Sequence, residues 1–415
     1  MMHRRDVLLG GAAALAAVAG ARPARAAEEV LIGAVYPMSG ANAQVGVDGR
    51  HALETAIEIV NGVHDLDLPG ARAAGLAGLG GAKIRLVMAD HQADPQKGRS
   101  EAERLITQNK VAGIVGTYHS SVAATVSVTC ERYGVPFVAA DSSSPSLHRR
   151  NLKYFFRPAA HDEMFSAAIF DLLDAERKKG AKVDTVALFY EDTIFGVDSS
   201  TVQRKLAAER GYKVAADVKY RSNSPSLTAE VQQLKSADAD VVLPSSYTTD
   251  SILLVKTMAE LGYKPRNMIA QAAGFAEKAT FESVGDKLDG LISRASFALD
   301  LAKKRPSIGV VNEMYKARAG RDLNDNTSRL VEAMLVLADG IDRARSLDGA
   351  KIREALAATK TPAEQTIMPW RGIAFGPDGQ NVLCDPVLIQ YRGGTFVTVF
   401  PEAFAAAAPK WPMNG

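Results

Sequence analysis

The chain has 415 residues, 49 Lys and Arg against 47 Asp and Glu, a formal net charge of +2, and two cysteines. Charge this balanced argues against a nucleic acid or a membrane surface as partner. The length exceeds one typical core and calls for two domains, and the seven histidines show no metal-ligand spacing, so neither a metal nor another cofactor is expected.

The chain opens on an export signal. Arg4 and Arg5 precede an apolar run from Val7 to Ala21, and small residues at Ala24–Ala26 offer a cleavage point. The run is too short to span a bilayer. The paired arginines resemble a twin-arginine leader, although Asp6 departs from that pattern. Cleavage after Ala26 removes four arginines and one aspartate, leaving 389 of the 415 residues at a formal charge of −1. The first cysteine is Cys130, far from the cut, so no lipid anchor is expected. The expected product is a periplasmic monomer, not anchored to the membrane. Cys130 and Cys384 are expected as two buried free thiols, although an exported protein could pair them.

Val30–Tyr36 reads as a strand ended by Pro37 and Gly40. Leu53, Ile57 and Val60 share a helical face between Gly46 and Asn61, and Gly62 stops the helix. A Gly/Ala loop, Ala71–Ala82, leads to a strand at Lys83–Asp90. Asp94 caps the next helix with Pro95 at its first position. A strand ending at Gly116, a helix over Ser120–Tyr133 and a strand in "VPFVAA" follow. This alternation predicts a parallel sheet covered by helices on both faces.

The pattern restarts after Arg157-Pro158. Helices are expected at Asp162–Lys178, Phe195–Glu209, Ser226–Lys235 and Thr249–Leu261. Strands are expected at Thr185–Tyr190, Tyr212–Tyr220, Ala239–Pro244 and "NMIAQ". Further helices follow at Ile308–Ala319, Asp325–Arg345 and Asp348–Ala358, and then a hairpin turning at Gly393-Gly394. Two such units predict a cleft between lobes, with a ligand at the carboxyl ends of the strands, where helix N-termini point.

"GIVGTYHSSVAATV", Gly113 to Val126, holds the main candidate site. No base is identifiable for Ser120 and there is no G-x-S-x-G, which argues against a nucleophile elbow. There is no G-x-x-x-x-G-K-[ST] nucleotide loop either. A hydroxyl at a helix N-terminus, with free backbone N–H groups, can hold an anion without reacting with it. Alternatively, Ser120 is only a cap. A second serine loop, "DSSSP" (Asp141–Pro145), follows another strand and converges on the same edge.

The chain resembles the solute-binding proteins of ABC importers, of the type that binds leucine, isoleucine and valine. The likeness covers the whole mature chain. It rests on "IGAVYPMSGANAQVGVDGRHALETAIEIVNG", "DHQADPQKGRSEAERLI", "GIVGTYHSSVAATV", "YGVPFVAADSSSPSL", "FFRPAAHD" and "PWRGIAFGPDGQN" in order, after the leader. It implies two Rossmann-like α/β lobes joined by three crossovers near Arg157–His161, Gly290–Arg294 and Thr361–Arg371. Lobe I would comprise residues 27–158 and 293–365, and lobe II residues 159–292 and 366–415. By the same resemblance Ser120 binds a ligand carboxylate, Ser143 offers a hydroxyl and Asp141 a backbone carbonyl. Ser121, Tyr118 and His119 line the wall, Phe195 stacks on the ligand and Tyr247 faces the cleft. The plainer alternatives are a solvated His119, a core Phe195 and a Tyr247 that caps a helix.

One departure matters. Amino-acid binders of this type place a carboxylate after the strand matched by "NMIAQ", where this chain has Ala272 and Ala273. A buried ammonium without a counter-charge is costly. Either Asp192, Asp250 or Glu277 substitutes, or the ligand has no ammonium; the residues lean towards a carboxylate other than a branched-chain amino acid. Three classes stay open: a periplasmic protein delivering a small carboxylate to importer membrane subunits, a sensor presenting it to a receptor, and a serine amidase or esterase. No His/Asp set supports the last, so no enzyme is expected.

Overall fold

Strand β1 (Val30–Tyr36) opens the computed structural model, which describes residues 29–271 and 273–413; the expected export leader and Ala272 lie outside the described residues. Helix α1 (Ala43–Asn61), β2 (Ile84–Asp90), α2 (Pro95–Thr107), β3 (Ile114–Gly116), α3 (Ser120–Tyr133), β4 (Phe137–Ala139) and β5 (Phe155–Phe156) follow. These five strands form one all-parallel sheet in the order β2-β1-β3-β4-β5. Asp94 caps α2 by accepting from the N–H groups of Gln96 and Lys97, with Pro95 in the first turn.

The second unit runs α4 (Asp162–Lys178), β6 (Thr185–Glu191), α5 (Ile194–Glu209), β7 (Lys213–Tyr220), α6 (Thr228–Ala237), β8 (Val241–Ser245), α7 (Thr248–Glu260), β9 (Ile269–Ala270), α8 (Lys278–Val284) and β10 (Ile292–Ala295). Helices α9 (Pro306–Ala319), α10 (Asp325–Ala344) and α11 (Gly349–Ala357) come next. The short antiparallel pair β11 (Lys360–Pro362) and β12 (Gly372–Ala374) and the hairpin β13 (Val387–Arg392) and β14 (Thr395–Phe400) close the chain. Strands β7-β6-β8 are parallel. A bridge from Val242 to Met268 carries them into a further sheet, β9-β10-β13-β14, whose last two pairings are antiparallel.

Helices cover both faces of the β2-β1-β3-β4-β5 sheet and of the β7-β6-β8 sheet, as apolar strands buried on two sides require. On the first sheet, Ile32, Ala34 and Tyr36 pack with Leu53 of α1 and Val331 and Met334 of α10. Val35 and Ile114 face Leu105 of α2 and Val122 and Val126 of α3. On the second, Leu188 and Leu243 meet Ile169 and Leu173 of α4, and Phe189 and Val242 meet Val231 of α6 and Leu254 of α7. Cys130 and Cys384 are both buried and unpaired. No helix among the described residues is long and apolar enough to cross a membrane.

Several short elements were not expected from the sequence, strand β10 and helix α8 among them. Residues 290–294, expected as a crossing, include most of β10, and the chain leaves that sheet past Ala295. The polar Ser293 and Arg294 hide this strand; both are buried, with the Ser293 hydroxyl donating to the Arg294 carbonyl at 3.1 Å and Arg294 donating to Asp325 at 3.1 Å. Helix α8, also unanticipated, has only 7 residues, too few to show a periodic pattern.

Arg157, between β5 and α4, is fully buried. Its guanidinium donates to the carbonyls of Ser142 (3.0 Å) and Ser144 (2.8 Å) and to Gln380 Oε1 (2.6 Å). Its backbone N–H donates to Gly379 O at 2.8 Å. One residue therefore ties the serine loop to the segment feeding β13. Gly379 has φ 75, and a Cβ there would lie 1.9 Å from Phe155 O. Gly379→Ala should lower stability by at least about 2 kcal/mol, through strain and overpacking. Urea denaturation reads this directly, and a wild-type midpoint would show that the segment around Gly379 yields.

Candidate functional site

In a parallel sheet, the crevice lies beyond the carboxyl ends of the two strands where the winding reverses. In the first sheet those strands are β1 and β3, and in the second β6 and β8. The two reversal points face each other across one cleft of about 430 Å³. From the first sheet, Asn42, Ala93, Pro95, His119 and Ser121 line it. The wall from the second is Asp192, Thr193 and Ile194 after β6, Ser222 and Asn223 after β7, and Tyr247, Thr249 and Asp250 around the start of α7.

The loop from β3 to α3 carries the closest contacts across the cleft. Tyr118 adopts φ 75, a strained value for a bulky residue. Its hydroxyl lies 3.0 Å from Thr248 Oγ1. The Ser120 N–H donates to the Tyr247 hydroxyl at 3.1 Å. The sequence reading expected that N–H to be free. Instead, a phenol from the facing unit caps it, leaving Ser121 and Val122 as the remaining first-turn donors of α3. The rings of Tyr118, His119 and Phe195 surround Tyr247 at centroid distances of 5.0, 4.6 and 5.1 Å.

Of the eight residues proposed from sequence, His119, Ser121 and Tyr247 line the cleft. Tyr118, Ser120, Asp141, Ser143 and Phe195 are buried and lie behind these. Ser120 Oγ accepts from Ser144 N–H at 3.4 Å, and Ser143 O accepts from Asp162 N–H at 2.9 Å. The Asp141 carbonyl already accepts from Arg329 Nη1 at 3.1 Å, and its carboxylate from the Tyr36 hydroxyl at 2.9 Å. Glu277 is buried too, accepting from Asn324 at 3.1 Å and from Asn326. Asp192 and Asp250 do reach the cleft.

Sequence reasoning missed Asn42, Ser222 and Asn223. Asn42 sits just before α1 and contacts His119 Nε2 at 3.4 Å. Its place before a helix at the first strand's carboxyl end was a usable signal. Ser222 and Asn223 lie on the loop after β7, whose nearness depends on sheet order.

Among the described residues, the cleft wall carries no Lys or Arg. Burial, and then the neighbouring His91, hold the His119 imidazole well below its ordinary pKa, so the ring is neutral. Burial raises Glu191 to about 8, assisted by the charges of Asp250 and Asp192. Burial likewise raises Asp250, with Asp192 adding to it. The arrangement offers helix-terminus N–H donors on one wall and uncompensated carboxylates on the other.

The family described as periplasmic binding protein matches residues 29–390. A Leu/Ile/Val-binding protein homolog 7 from Brucella suis biovar 1 is 30% identical over 421 residues, spanning 99% of this chain and 100% of its own. The crystal structure of a leucine binding protein, LivK, from Thermotoga maritima superposes with a TM-score of 0.76 at 22% identity, covering 89% of this chain and 98% of that one. An ABC transporter solute-binding protein from R. palustris, solved with benzoate, has a TM-score of 0.74 at 18% identity, covering 92% and 98%.

Proposed function

The chain belongs to the periplasmic binding protein family, and from that premise we propose that its cleft captures a small carboxylate-bearing solute, by closure of the two lobes, for delivery to the membrane subunits of an ABC importer. The observation that carries this reading is the N-terminus of α3, whose second residue, Ser121, opens into the cleft between the two reversal points. A carboxylate there meets backbone donors and the positive end of the helix dipole. Ser120, held by the Ser144 N–H, supports that turn from behind, His119 and Tyr247 supply the aromatic wall, and Tyr118 and Phe195 pack behind them. The named ligands of the relatives, branched-chain amino acids and benzoate, are all small carboxylates.

Hydrolysis of an ester or amide has no support here. His119 Nε2 faces Asn42, its Nδ1 has no hydrogen-bond partner, and Ser120 Oγ accepts from a backbone N–H. A serine nucleophile needs a base within hydrogen-bond reach.

A thermal-shift screen of amino acids, aromatic acids and short dicarboxylates, each beside its primary amide, tests the reading. Acids should stabilise by RT ln(1 + [L]/Kd), about 4 kcal/mol at a thousandfold excess over Kd, and the amides far less. Ser121→Asp separates binding from folding. An acid in the first turn of a helix is favourable by about 0.3–1 kcal/mol, so stability should hold or rise. A ligand carboxylate should bind at least about tenfold more weakly beside that charge, a loss of 1.4 kcal/mol. Unchanged affinity in Ser121→Asp would remove the anion seat from α3.

A further inference from the structure

We infer that Glu277 is a proton-operated tie between the two α/β units: neutral, it keeps the cleft closed, and ionised, it lets the units part. The inference rests on the lobe closure proposed above and adds a control by pH.

Glu277 stands just before α8, after β9, and so belongs to the second unit. It is 3% exposed and reaches across to the start of α10, the helix that packs on the first sheet. There it accepts from Asn324 Nδ2 at 3.1 Å and from Asn326 Nδ2. The cations nearby are engaged elsewhere: Lys278 with Glu282 at 3.4 Å, Arg321 with Asp48 at 3.3 Å, and Arg294 and Arg329 with Asp325 at 3.1 and 2.9 Å. Two more acids face Glu277, Asp48 of α1 and Asp141 beyond β4. The phenols of Tyr118 and of Tyr315 on α9, and the Arg329 guanidinium, also feel its charge.

Two neutral amides are thus the only direct support for a carboxylate that is buried and faces like charges, an unfavourable state. Burial raises its pKa to about 8; Asn326 opposes this, and the charges of Asp48 and Asp141 add to it. When the units part, water reaches the carboxyl and the facing acids recede, so the pKa returns towards the ordinary value of about 4. Closure therefore takes up a proton at any pH between these values. Because the pKa is raised in the closed form, the stabilisation of closure is complete below about pH 4 and is lost as pH rises through 8. Over most of that interval the closing constant falls about tenfold per pH unit.

Small-angle scattering of the mature, ligand-free protein at pH 6 and pH 9 tests the tie, with circular dichroism at each pH to separate opening from unfolding. The wild type should have the larger radius of gyration at pH 9, with its helix content unchanged, and return to the smaller radius at pH 6. Glu277→Gln keeps a neutral group beside Asn324 and Asn326 and should hold the smaller radius at both pH values, which separates Glu277 from the other acids that burial raises. Asp48→Asn removes one facing charge at a separate position. It should reduce the expansion, and it serves as the variant if Glu277→Gln does not fold. A wild-type radius equal at both pH values overturns the inference. So does a Glu277→Gln variant that expands as the wild type does, or an expansion accompanied by loss of helix. Thermal stabilisation by L-leucine or benzoate, read in parallel, would leave the capture of a carboxylate standing in any of those cases.

Discussion

Arg329→Met should destabilise the protein by about 3–5 kcal/mol, the range for removing one partner of a buried ion pair. Arg329 is 1% exposed. It donates to Asp325 Oδ2 at 2.9 Å, to the carbonyls of Asp325 and Asp141 at 3.1 Å, and to Asn326 Oδ1. Burial pulls its pKa down, but Asp325 and Asp141 outweigh this and raise it. Methionine fills much of the volume and supplies none of the donors. Arg294 would remain on Asp325 at 3.1 Å, while Asp141 would keep only the Tyr36 hydroxyl. The damage should also reach binding, because the Asp141 carbonyl anchors the loop beyond β4. Equilibrium denaturation gives the stability change, and a loss below about 1 kcal/mol would mean that the cluster relaxes around water.

The second large effect is a fall in stability between pH 6.5 and pH 8. Burial raises Glu191 and Glu277 to about 8, and Glu332 and Asp141 to about 7. For an acid whose folded pKa is raised, the favoured form is the protonated one. Its stabilising contribution is complete below the unfolded pKa of about 4 and disappears as pH rises through the folded value. Burial lowers His91 and His148 to about 4, which has the opposite sense. Their contribution is complete above about 6.5 and is lost as pH falls towards 4. The two groups oppose each other below pH 6.5, and above it only the acids act. Each acid near 8 then removes about 1.4 kcal/mol per pH unit, or about 2 kcal/mol over this interval. Glu277→Gln, which mimics the protonated acid beside Asn324 and Asn326, should flatten this slope, gaining about 2 kcal/mol more over the wild type at pH 8 than at pH 6.5. A urea midpoint independent of pH, or a variant with the wild-type slope, would mean that these acids are ionised in the folded state.

Elements with strong local signals were legible from the chain alone. Helix α3 spans Ser120–Tyr133 as its apolar spacing predicts, and ends at Gly134 with φ 66, the left-handed position that favours glycine. Helix α4 spans Asp162–Lys178, the range read from sequence. The carboxyl-edge location of the cleft followed from strand–helix alternation. Strand β10 was hidden because its arginine is satisfied by a helix that follows it in sequence: Asp325 takes Arg294, and also the N–H of Ser296 just past the strand. The cleft composition was only partly readable for a similar reason. The Tyr247 hydroxyl reaches the Ser120 N–H across 127 positions, and Glu277 is engaged by Asn324 and Asn326 at separations of 47 and 49. No local pattern distinguishes such a Tyr from a helix cap, or such a Glu from a ligand contact.

The most direct measurement is a map of backbone amide resonances in the mature protein, titrated with the tightest-binding acid from the thermal-shift screen. A carboxylate seated at α3 should move the Ser121 and Val122 amide protons most on the first wall, with Thr193, Thr249 and Asp250 responding opposite. The primary amide of the same acid should leave Ser121 and Val122 nearly unmoved. Shifts concentrated instead in the groove around Lys316, Arg321 and Gly394, on α8, α9 and the β13–β14 turn, would place the ligand outside the cleft. That result would contradict the assignment of α3 as the anion seat.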